Sequence, residues 1–115
     1  MIEEERPLPP VLAEQVEILR ALFDPAAPPP SDVLMRQVDA VMLNLCEYVE
    51  VDMALLNRVM GLRVAAEALA QGLEDPTTYE PDAARARALD EAAALEAVLR
   101  QSRPSQVSRA MGLDW

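Results

Sequence analysis

The fold is decided by residues 31–75, which read SDVLMRQVDAVMLNLCEYVEVDMALLNRVMGLRVAAEALAQGLED. Apolar side chains recur here in alternating steps of four and three residues, the heptad pattern of a helix that packs along one seam. The pattern extends over about 40 residues. The seam comprises Leu34, Val38, Val41, Leu45, Tyr48, Asp52, Leu55, Val59, Leu62, Ala66, Leu69 and Leu73. Asp52 is its only charged member.

Two structures agree with this pattern. The pattern favours one continuous helix over about residues 32–73, which would be about 63 Å long. In that helix Asp52 would be a polar residue inside the seam and would fix register or oligomeric state. The alternative is a break near Val51 and Asp52, with Asp52 as the N-cap of a second helix. The two β-branched residues that flank Glu50 favour this break.

Prolines mark the ends of the other elements. A helix is predicted over about residues 11–23, and the Pro28–Pro30 connector follows it. Ser31 is the expected N-cap of the central helix. Pro81 is expected to begin a helix that continues to about Gln101. A last short helix is predicted over residues 104–111, before Gly112.

The expected fold is therefore all-α: a small helical bundle with one long central helix over about 32–73, either continuous or broken near Asp52, flanked by shorter helices. Residues 1–115 are expected to form a single helical domain. Within it, residues 1–10 would form an extended proline-rich arm. Residues 104–115 would form the short C-terminal helix and tail.

Composition and charge narrow the class of protein. Hydrophobic residues make up 51% of the 115 residues and aromatic residues only 3%, which favours helices over sheets. Twenty acidic residues against ten arginines give a net charge of −10, so the chain as a whole repels a phosphate backbone. The net charge alone therefore argues against nucleic acid as a partner.

Missing residue types exclude most catalytic chemistry. The chain has no His and no Lys, one cysteine (Cys46) and three dispersed glycines. An imidazole base, a Schiff base, a zinc site and a phosphate-binding loop are therefore all excluded. The Glu3–Glu5 run is the densest carboxylate cluster, but it belongs to the proline-rich arm and is expected to be solvated. We expect no enzyme activity, no cofactor and no metal.

The sequence also predicts a location. A single cysteine fits a reducing compartment. The N-terminus lacks the pattern of a signal peptide, and no apolar stretch approaches the roughly 20 residues of a membrane span. We therefore expect a cytoplasmic protein, or one inside a virion assembled in the cytoplasm, without a membrane partner.

A second apolar row accompanies the seam through the middle of the central helix. It comprises Met42, Cys46, Val49, Met53, Leu56 and Met60. Two rows are wider than a helix pair requires. Either the flanking helices of the same chain cover both rows, or the second row binds another chain. The second option is our prediction, and the methionines suit an adaptable surface.

The C-terminal residues suggest a docking segment. Trp115 is the only tryptophan and follows Leu113 beyond Gly112, while Arg103 and Arg109 would flank it with positive charge. Such an aromatic anchor is typical of interface centres. The alternative is that Trp115 folds back onto its own chain. Residues 104–113 also resemble the first helix and turn of a helix-turn-helix, without the recognition helix.

These features together predict a non-enzymatic helical adaptor or assembly subunit that acts through protein–protein interaction. It would be a homo-oligomer or a subunit of a larger assembly, for example a small structural or connector component of a phage particle. The alternative is a regulator of nucleic-acid transactions, acting as an acidic mimic or as a partial helix-turn-helix protein.

Overall fold

The computed structural model describes residues 7–26, 28–113 and 115 of the chain. These residues form five helices and no strand, so the predicted all-α bundle is confirmed. The helices are α1 (Pro10–Leu22), α2 (Ser31–Tyr48), α3 (Met53–Glu74), α4 (Pro81–Leu99) and α5 (Gln106–Ala110). The predicted arm lies largely outside the described residues, the Glu3–Glu5 run included. Residues 7–9 precede α1 without regular structure.

The central helix is broken, as the second of the two alternatives predicted. Asp52 has an extended backbone and is the N-cap of α3, where its Oδ1 accepts a hydrogen bond from the Leu55 amide at 2.8 Å. On the other side of the break, the Glu50 amide donates to the Arg103 carbonyl at 2.8 Å. Val49 forms an isolated antiparallel bridge with Pro104. The continuous helix over 32–73 is therefore wrong, because a distant segment holds the link in an extended form.

Helices α2 and α3 form an antiparallel hairpin around this break. The Ser31 hydroxyl at the start of α2 donates to Glu74 at the end of α3. Nearer the middle, the Arg63 Nε donates to Asp39 Oδ1 at 3.1 Å. Ser31 is the first helical residue of α2 and makes no N-cap hydrogen bond, so its predicted capping role is wrong.

Both halves of the heptad seam lie in one core. Leu34 and Leu45 of α2 and Leu55 and Leu62 of α3 are fully buried. Asp52 is the exposed member at the break. It thus caps a helix and does not lie inside a continuous seam; its influence on oligomeric state stays a prediction.

Helix α4 packs closely along α3 because small residues line their contact. Ala65 and Ala66 of α3 and Ala88 and Ala92 of α4 are buried. Pro81 is the first residue of α4, as predicted. Helix α1 packs against both α2 and α4.

The short helix α5 is attached to the end of α2. The buried Ser108 hydroxyl donates to the Tyr48 carbonyl at 2.7 Å, and the Ser105 amide donates to the same oxygen at 3.0 Å. Gly112 follows α5 with a positive φ of 81°, which confirms it as the residue that ends this helix.

Candidate protein-binding surface

The predicted partner face is divided between the core and the surface. Its first half lies on α2 and the following link, where Met42 and Val49 are buried and Cys46 is half-buried. α2 lies between α1 and α3, so both of its apolar rows are largely covered. The predicted partner face is therefore corrected for Met42, Cys46 and Val49, which the chain's own helices cover wholly or in part.

The second half of that face is exposed on α3. Met53 is 69% exposed, Leu56 38% and Met60 65%. Val64, which the sequence analysis did not include, continues the row and is 53% exposed. We call these four residues the α3 strip. Steps of three, four and four residues keep them on one side of the helix over about 16 Å.

The α3 strip faces away from the protein's own core. The buried residues of α3 include Leu55, Leu62 and Leu69. At 100° per residue these lie on the other side of the helix from Met53, Met60 and Val64. Helix α3 is therefore apolar on two sides, and the described residues cover only one of them.

Leu43 extends the exposed apolar surface onto α2. It is 72% exposed and follows Asp39 by one helical turn. Asp39 contacts Arg63 across the hairpin, and Leu56 lies two turns before Arg63 on α3. Because the two helices are antiparallel, Leu43 and Leu56 lie along the same edge of the hairpin.

The charges on α3 are balanced, unlike those of the whole chain. The helix carries Arg58, Arg63, Glu67 and Glu74, so its side chains sum to zero while the chain carries −10. At one end of the strip, Arg63 and Glu67 form an ion pair at 3.3 Å. The hydrogen bond with Asp39 also raises the pKa of the Arg63 guanidinium.

A second ion pair lies beyond the other end of the strip. The Arg109 guanidinium is 3.5 Å from the Glu50 carboxylate, in the link that precedes α3. Both ends of the strip are nevertheless acidic, because Asp39 also contacts Arg63 at one end and the exposed Asp52 precedes Met53 at the other.

The C-terminal residues dock within the chain. The half-buried Trp115 packs against the core, and its Nε1 donates to the Ser102 carbonyl at 3.1 Å. Leu113 and Trp115 line an open pocket of about 410 Å³ together with the start of α1. Of the two alternatives for Trp115, folding back in cis is the one observed. The contacts of Trp115 are thus made with its own chain, and the binding of another protein by this segment stays a prediction.

The two arginines predicted beside that dock also have partners in the chain. Arg109 contacts Glu50, and the Arg103 carbonyl accepts the Glu50 amide. Helix α5 contacts α2, and no helix follows it in the described residues up to 113. The resemblance to a helix-turn-helix thus extends no further than one short helix.

The described residues contain no group of three or more His, Cys, Asp or Glu that could hold a metal ion. Burial raises the pKa of the Cys46 thiol, so it stays protonated near neutral pH. No helix in this part of the chain is long and apolar enough to cross a bilayer.

Comparison with protein-family models, with curated proteins and with solved structures gives no match in any of the three. The surface formed by the α3 strip and Leu43 is therefore interpreted from its own residues. Met53, Leu56 and Met60 were found from the sequence by their helical spacing. Val64 continues that spacing, four residues after Met60, and the same signal could have identified it. Leu43 had no such signal, because its position depends on the hairpin.

Proposed function

We propose that this chain is a non-enzymatic helical adaptor or assembly subunit, which binds another protein through the α3 strip and Leu43. The observation that carries the proposal is the row of four exposed apolar side chains on α3, on the side that no described part of the chain covers. A small structural or connector component of a larger complex, such as a phage particle, is a role that such a surface would serve.

The regular spacing of the row favours a binding role. Single exposed apolar residues are ordinary on protein surfaces, but contiguous apolar patches indicate interaction sites. Residues at positions i, i+3, i+7 and i+11 form the pattern with which a helix binds a groove or another helix. Met53 and Met60 also have flexible side chains, which adapt to a partner's shape.

The proposal is tested by photo-crosslinking in the cells that naturally make the protein. A photoreactive phenylalanine analogue is placed at Met60, and a matched control carries it at the exposed Gln37 of α2. We expect a covalent adduct with another protein chain from position 60 and none from position 37. The proposal is rejected if position 60 gives no adduct while far-UV circular dichroism shows that the labelled protein is folded.

A further inference from the structure

We infer that the partner of the α3 strip is a basic amphipathic helix of another protein. Its apolar row packs on the strip, and its Arg or Lys side chains meet the carboxylates that surround the strip. This inference rests on the proposed function of the strip, and it names the chemistry of the partner. It draws on the charges around the strip, on the shape of the strip and on the partners that those charges disfavour.

The end of the strip at Val64 is acidic. Arg63 is paired there with two carboxylates, Glu67 at 3.3 Å and Asp39 of α2 at 3.1 Å. Glu67 follows Val64 by three residues and therefore lies on the same side of α3. The three charged side chains are each about half-exposed. This end thus has one negative charge in excess, and a partner on the strip can reach it.

The end of the strip at Met53 has the same sign. The exposed Asp52 directly precedes Met53 and caps α3 through its Oδ1. Glu50 is also exposed, and its carboxylate lies 3.5 Å from the Arg109 guanidinium. The arginine offsets one of these two carboxylates, so this end too has one negative charge in excess.

Carboxylates also lie along the two long edges of the strip. On the α4 side, Glu91 approaches α3 so closely that an added Cβ at Gly61 would be 2.7 Å from its Oε2. The exposed Arg87 precedes Glu91 by one helical turn and offsets its charge. On the α2 side, the exposed Glu47 follows Leu43 by one turn. The edges therefore add a further negative charge.

The border of the strip as a whole is negative. Arg58 does not belong to it, because a residue two positions before Met60 lies about 160° away around the helix axis. The border comprises six acidic side chains, Asp39, Glu47, Glu50, Asp52, Glu67 and Glu91, and three basic ones, Arg63, Arg87 and Arg109. An apolar row inside such a border is complementary to a partner with basic side chains around its own apolar row.

The shape of the surface favours a helical partner. The strip is about 16 Å long, the length of a helix of about 11 residues. Its spacing allows a helix with apolar side chains at every third or fourth position to pack along it. Leu43 widens the apolar surface toward α2, and the flexible side chains of Met53 and Met60 adapt to the partner's shape.

The same charges disfavour other occupants of the strip. A second copy of this chain would bring two acidic borders together, and each chain carries −10 in total. A phosphate backbone and the anionic surface of a bilayer are repelled for the same reason. The partner is therefore a protein segment that is positive where this border is negative.

The test is fluorescence anisotropy of labelled synthetic peptides titrated with the purified full chain. Each peptide has about 14 residues with Leu at positions i, i+3, i+7 and i+11. One peptide carries Lys beside this row, and the other carries Glu. We expect the Lys peptide to bind with a dissociation constant of about 10–100 μM at about 50 mM salt, and the Glu peptide not to bind at about 1 mM. Equal affinities, or no binding of the Lys peptide at about 1 mM, would overturn the inference.

The acidic border is tested by two double variants that each raise the net charge from −10 by two units. Asp52→Asn with Glu67→Gln removes one carboxylate from each end of the strip, and Asn keeps the cap of α3. Glu14→Gln with Glu17→Gln removes two exposed carboxylates from α1, whose neighbours are α2 and α4.

We expect the strip double variant to weaken binding of the Lys peptide by about fivefold or more, and the α1 double variant by less than about twofold. The difference should shrink at about 0.5 M salt, which screens exposed charges. Equal losses in the two double variants would mean that net charge alone attracts the peptide, and would overturn the inference.

The apolar part of the surface is tested by Leu56→Gln against Leu89→Gln, because both leucines are 38% exposed. Leu89 lies on the side of α4 that carries Glu96, which pairs with Arg20 of α1, and is thus remote from the strip. We expect Leu56→Gln to weaken binding more than about fivefold and Leu89→Gln less than about twofold. Circular dichroism confirms the fold of each variant. If Leu56→Gln binds as tightly as the wild type, the peptide does not occupy the strip and the inference is wrong.

The crosslinking experiment separates this inference from the proposed function. Mass spectrometry of the adduct from position 60 identifies the segment of the partner that is attached. A segment with apolar residues at helical spacing and an excess of Arg and Lys supports the inference. A neutral or acidic segment, including one from a second copy of this chain, overturns it and leaves the proposed function standing. The absence of any adduct rejects both.

Discussion

Two glycines of α3 provide a matched test of how closely α4 approaches. An added Cβ at the buried Gly72 would lie 3.0 Å from the Cα of Pro81 and 3.2 Å from its backbone nitrogen. These atoms belong to the first residue of α4 and cannot move alone. A Cβ at Gly61 would lie 2.7 Å from Glu91 Oε2, the end of a flexible side chain that can rotate away.

The two alanine substitutions should therefore change stability in opposite directions. Replacing a helical glycine by alanine gains about 0.5–1 kcal/mol when nothing opposes it. We expect Gly61→Ala to show this gain. At Gly72 overpacking costs about 1–3 kcal/mol, so Gly72→Ala should lose about 1–2 kcal/mol net.

The difference is large enough to measure by thermal unfolding. With an unfolding entropy of about 2.1 cal/mol/K per residue, about 1 kcal/mol corresponds to roughly 4 °C for 115 residues. The two variants should differ in Tm by about 6–12 °C, measured by circular dichroism at one protein concentration. Equal Tm values would refute the close contact between α3 and the start of α4.

Three further substitutions test single contacts by urea unfolding. Asp52→Ala should cost about 1 kcal/mol because it removes the α3 cap, while Asp52→Asn should keep most of it; a stabilised Ala variant would argue against the break. Ser108→Ala should cost about 0.5–1.5 kcal/mol, since the Tyr48 carbonyl loses one of its two donors; an unchanged stability would mean that the Ser108 hydroxyl does not help to hold α5 against α2. Trp115→Ala should cost about 1–2 kcal/mol and Trp115→Phe less; no loss in either would contradict docking in cis.

The heptad seam shows what a sequence pattern can predict. Its spacing identified the buried side of both helices, since helical periodicity records which positions avoid water. It did not determine whether the helix continues past Tyr48. The apolar residues of such a seam can be buried against a partner helix, or against the second half of the same segment after it folds back. The same apolar pattern is expected for either arrangement.

The break itself was only partly visible in the sequence. The β-branched Val49 and Val51, with Asp52 after them, allow a helix end but do not require one. What holds the link extended is the bond from Glu50 to Arg103, a residue more than 50 positions away. A contact between such distant residues leaves no pattern in the sequence around the break. For this reason the preference for a continuous helix was wrong.

The second apolar row shows that helical spacing alone does not predict which residues of a row are buried. Met42 and Met60 belong to the same row and have the same chemistry, yet one is buried and the other is exposed. The difference comes from the neighbouring helices, because α1 and α3 enclose α2, while none of the helices in residues 7–26 and 28–113 packs against the outer side of α3.

The two sides of α3 differ in how much they contribute to the stability of the fold. One side contributes Leu55, Leu62 and Leu69 to the core, so substitutions there act on stability. The strip on the other side contributes little to the core, and substitutions at exposed positions generally change stability by no more than about 0.5 kcal/mol. Folding alone therefore does not require Met53, Met60 and Val64 to be apolar. Under the proposed function a partner covers them, and binding and stability should then respond to different residues of the same helix.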